Sequence, residues 1–63
     1  MTIKEANLKI GDVIRFPPWK NLWRVNKIVE RGVITELAIQ KKDVDPHKHL
    51  DEWHMEIEVV SRS

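Results

Sequence analysis

Hydrophobic and polar positions alternate most regularly over Val33–Gln40, where Val33, Thr35, Leu37 and Ile39 take one parity and Ile34, Glu36, Ala38 and Gln40 the other. Period-two alternation with one apolar face marks a half-buried strand, and a strand is expected there. Upstream, Trp23 and Val25 share a parity, but Ile28 falls on the wrong one and Lys27 on the right one. A bulge near Asn26 and Lys27 restores the register, and bulges bend strands enough to help close a barrel. Glu30, Arg31 and Gly32 make the short connection, with glycine where a left-handed residue is wanted. On this reading Trp23 points inward with Val25.

Val13–Phe16 reads as the first strand. It follows the bend at Gly11 and Asp12, and it stops at Pro17 and Pro18, which donate nothing to a ladder. HMEIEVV closes the chain as a strand, with Met55, Ile57 and Val59 alternating against His54, Glu56 and Glu58. KKDVDPHKHLDEWH is polar and carries a helix start, Asp45 as N-cap and Pro46 at the first helical position. It predicts one short helical turn near 46–53, with Leu50 and Trp53 inward. Ser61–Ser63 is expected to fray. PPWKNLWRVNKIVERG also has a helical reading, with Pro18 in the first turn, a stripe of Trp19, Leu22, Asn26 and Val29, and Gly32 at the end. The β-branched Val25, Ile28 and Val29 and the lack of alanine favour strands.

The expected fold is therefore mainly β, with four or five antiparallel strands in one domain over 1–63. LKIGDVIRF followed by LWRVNKIVERGVITELAI resembles the opening of SH3-like small barrels, in which a Gly-Asp-Val turn enters the first strand and a tryptophan-led second strand runs into a hairpin. The resemblance covers Leu8–Ile39 and is one of fold. The glycine-rich turn of KOW-type barrels is missing, since no glycine lies between Asp12 and Arg31, and without tyrosine there is no ALYDY pattern of peptide-binding SH3 domains. No family's functional residues carry over, and a fold alone licenses no function.

Size and composition narrow the classes further. At 63 residues without cysteine, the chain has neither disulfides nor thiolate metal sites to support a small core. Ordering costs about 1.5 kcal/mol per residue, so Phe16, Trp19, Trp23 and Trp53 are needed mostly for packing. No apolar run approaches the roughly 18 residues of a membrane span, and MTIKEANLKIG lacks the apolar core of a signal peptide, so no membrane contact and a cytoplasmic location are expected. The net charge is +1, but residues 1–42 carry nine bases against four acids and residues 43–63 two bases against six acids. That asymmetry either forms a basic face for an anionic partner or pairs across neighbouring strands.

Trp19 stands behind two prolines and before Lys20 and Asn21, outside any alternating pattern. A ring held there among bases suits stacking by single-stranded nucleic acid, at ~1–3 kcal/mol per base, or by a peptide. The alternative is a lid over the barrel mouth. Arg15, Arg24 and Lys27 are expected to project outward, with Lys20 and Arg31 at the loop ends, as phosphate contacts. Their competing role is neutralisation, with Arg15 beside Glu56 and Glu58 where the first and last strands pair. The expected nucleic-acid site is thus Arg15, Trp19, Lys20, Arg24, Lys27 and Arg31, with DNA or RNA as partner. The alternative function is a protein adaptor or small homo-oligomer, of phage or mobile-element accessory type, that meets its partner by a sheet edge or by the acidic segment Asp43–Glu52.

His47, Asp51 and His54 fall at i, i+4 and i+7, which on a continuous helix would gather three zinc ligands. A helix ending at Trp53 sends His54 elsewhere, and no metal or other cofactor is expected. Serines are confined to the last three residues, and Thr2 and Thr35 have no base in prospect, so an enzyme is not expected either.

Overall fold

The computed structural model describes residues 1–38 and 48–63. Helix α1 (Ile3–Ala6) precedes five strands: β1 (Val13–Arg15), β2 (Leu22–Val29), β3 (Gly32–Leu37), β4 (Lys48–Glu52) and β5 (Glu58–Ser61). All pair antiparallel in one sheet of order β4-β3-β2-β1-β5. The sheet is not closed among the described residues, so β4 and β5 are its two edges. The mainly β class holds, and the helical reading of residues 17–32 does not.

Register confirms the bent ribbon. Val25 pairs with Thr35 and the next pair is Lys27 with Ile34, so Asn26 is the extra residue of a bulge. The bulge returns Ile28 to the face of its partner Val33, as the alternation requires. Residues directly opposite share a face. One face therefore carries Ile14, Trp23, Leu37 and Val59, then Val25, Thr35 and His49, then Val33 and Asp51. This inner face meets Ile3, Ala6, Leu8 and Ile57 in the core, with Phe16, Trp23, Trp53, Met55 and Val59 packed at its margin. Trp23 points inward as expected and is half-buried at that margin.

Three expectations require correction. The helical turn near 46–53 is a strand over Lys48–Glu52, paired to β3, while Asp45, Pro46 and His47 lie outside the described residues. Pairing satisfies the backbone groups of both strands in a ladder, which outweighs a local helix start. The short helix is instead α1, where Thr2 and Glu5 form a capping box and Asn7 closes the other end at φ 51°. The Thr2 bonds hold the Glu5 carboxyl below its ordinary range. Second, the C-terminal tail does not fray: Ser61 pairs with Val13, and Ser63 N–H donates to Asp12 Oδ1 at 2.6 Å. Third, Gly32 is not left-handed in the way expected, since its φ is 158°, near extended. Its need for glycine is steric, because an added Cβ would overlap the Asp51 carbonyl oxygen.

Candidate functional site

Phe16 follows β1, and the Phe16–Trp19 turn contains a cis Pro17–Pro18 bond and is closed by Trp19 N–H donating to Phe16 O at 2.7 Å. This turn carries Trp19 back over the inner face, where its side chain remains 67% exposed. Beneath it opens a cleft of about 290 Å³ lined by Phe16, Trp19, Asn21, Trp23, His49, Asp51 and Met55. The His49 ring lies 4.2 Å from that of Trp23 and 6.4 Å from that of Phe16. β1 and β4 are three strand spacings apart in the sheet order, roughly 14 Å if flat, so the sheet curls to bring these rings together.

The floor of the cleft is polar. Asp51 is 2% exposed, and His49 Nδ1 stands 2.9 Å from its Oδ1 while the buried Thr35 hydroxyl donates to Oδ2 at 2.5 Å. Burial raises the Asp51 carboxyl above its ordinary range, against the opposing pull of the Thr35 bond and the His49 interaction. In this trio the Thr35 hydroxyl donates a hydrogen bond to the Asp51 carboxylate. What the trio offers is a negative charge held under aromatic rings.

The sequence-predicted residues are spread over the molecule. Trp19 is at the cleft, and Lys20 follows it in an exposed position. Arg24 lies on the outer face, opposite Glu36, which is itself opposite Lys48. Lys27 is on that outer face too, paired with Ile34. Arg31 occupies the β2–β3 turn at the far end of β2, and eight residues of strand span roughly 25 Å. Arg15 is bonded to Glu58 on β5, the neutralising arrangement weighed from the charge pattern. The N-terminus likewise meets Glu56 at 3.1 Å, whereas Arg62 and Asp12, 3.4 Å apart, pair in the reverse sense to the asymmetry.

Of the three spaced metal-ligand candidates, His47 lies outside the described residues, Asp51 is committed to Thr35 and His49, and His54 is exposed in the turn after β4. The helix that would have aligned them is absent, because β4 stands there. Among the described residues no group of three or more metal-ligating side chains gathers, and no helix is long and apolar enough to cross a membrane. Sequence reasoning missed Phe16, Asn21, His49 and Met55 as cleft residues. No family model, no curated protein and no solved structure matches the chain.

Proposed function

We propose that the protein is a non-catalytic binding module, resembling SH3-like small barrels in fold, whose ligand seats in the cleft beneath Trp19 and belongs to a protein partner. The observation that carries this reading is Trp19 itself. In a chain this small, a two-thirds exposed tryptophan forfeits stabilisation that its burial would bring, and here the exposed ring walls a pre-formed cleft with Phe16 and Trp23. A convergent set of rings around one polar cluster is the ordinary build of a recognition site.

Single-stranded nucleic acid is the second reading, favoured by Lys20 beside Trp19 and by the exposed Arg24, Lys27 and Arg31. It ranks lower because Arg24 and Lys27 face away from the rings, Arg31 is at the far end of β2, and the cleft floor holds a carboxylate that repels phosphate. The test is intrinsic tryptophan fluorescence of the native protein and the Trp19→Ala variant, titrated with short blocked peptides of differing central residue and with oligothymidylate. At physiological salt a peptide is expected to change the emission and Trp19→Ala to abolish the response. An equal or stronger response to oligothymidylate that collapses as salt rises would install the nucleic-acid reading instead.

A further inference from the structure

We infer that the group received by the cleft is a cation, the guanidinium or methylated ammonium at the end of a partner polypeptide's side chain. This rests on the reading of the cleft as the ligand site. Phe16, Trp19 and Trp23 supply ring faces, and a cation within about 6 Å of such a face is drawn by the ring quadrupole, more strongly where water is excluded. Trp is the strongest of these platforms, and two of the three rings are Trp.

The second observation is the buried carboxylate. Its two oxygens are engaged by Thr35 Oγ1 and His49 Nδ1, and among the described lining residues it is the only acid. The Asp51 carboxylate gives the floor a negative charge, an electrostatic complement for an incoming cation.

Blocked peptides alike except for one central side chain test this: arginine, trimethyl-lysine, and the neutral carbon isostere of trimethyl-lysine bearing a tert-butyl head. The cationic peptides should bind about tenfold or more tightly than the isostere, and Trp19→Ala should remove that preference. Equal affinity for cation and isostere, with binding still dependent on Trp19, would overturn the cation assignment and leave the cleft as ligand site. No Trp19-dependent response to any peptide would remove both the inference and the reading beneath it.

Discussion

Gly32→Ala is expected to remove most or all of the protein's stability. Gly32 is buried and opposite Glu52 where β3 meets β4, and a Cβ there would overlap the Asp51 carbonyl oxygen and lie 2.9 Å from both Asp51 C and Glu52 Cα. Those are backbone atoms, so no side-chain rotation relieves the clash; β4 must move away and its ladder with β3 must loosen. Overpacking costs about 1–3 kcal/mol where side chains can shift, and a backbone clash belongs at or above the top of that range. A domain of this length has total stability of roughly 3–9 kcal/mol. Thermal unfolding followed by far-ultraviolet circular dichroism should therefore show a midpoint lowered by more than about 12 °C, or no cooperative transition. A midpoint within a few degrees of the native value would mean that β4 does not pair with β3 in this register, and the His49–Asp51 floor would go with it.

Asp12→Ala is expected to have the next largest effect. Asp12 is buried, and its carboxylate accepts from Lys9 N–H at 2.8 Å, from Ser63 N–H at 2.6 Å and from Arg62 at 3.4 Å. It thereby joins the turn before β1 to the tail after β5. Truncation strands two backbone donors and releases the tail, at a cost of about 3 kcal/mol. The pH dependence has a definite sign. Burial alone would raise the Asp12 carboxyl, but the Ser63 and Lys9 bonds and the Arg62 charge together outweigh it, so its folded value is lowered. A lowered carboxyl contributes stability that is fully present above its unfolded value, about 3.9, and is lost as pH falls through the folded one. Native protein should lose stability on acidification in that window, whereas Asp12→Asn should start lower at neutral pH and decline less steeply. Asp51, whose carboxyl is raised, acts in the opposite sense: its favourable share is complete below the unfolded value and is lost as pH rises through the folded one.

Much of the fold was legible from the central ribbon. Its apolar alternation and the misplaced Ile28 pointed to two strands and a bulge at Asn26, and both are present. β4 was not legible, because its pattern is inverted: the residue it buries is Asp51, while Leu50 is 38% exposed on the outer face. A strand that turns a carboxylate inward, satisfied by a threonine 16 positions earlier, has no apolar period to reveal it. The same inversion hid His49, and with it the floor of the cleft. α1 was signalled by Thr2 and Glu5 at capping-box spacing, though a four-residue helix has too short a stripe to stand out. Among the proposed site residues, Trp19 was distinguished by standing outside every alternating pattern. The bases were grouped by nearness in sequence, but strand geometry separates neighbours onto opposite faces, and that is why Arg24 leaves the side on which Trp23 lies.

The indole N–H resonances give the most direct test of the cleft. Trp53 Nε1 donates to Glu30 O at 2.8 Å and serves as an internal reference outside the cleft, whereas Trp19 and Trp23 line it. In a two-dimensional nitrogen–proton spectrum, a blocked trimethyl-lysine peptide should shift the Trp19 and Trp23 indoles and the His49 amide while Trp53 stays in place. Unmoved Trp19 and Trp23 indoles, with shifts gathered instead at the Arg24 and Lys27 amides on adding oligothymidylate, would contradict the account.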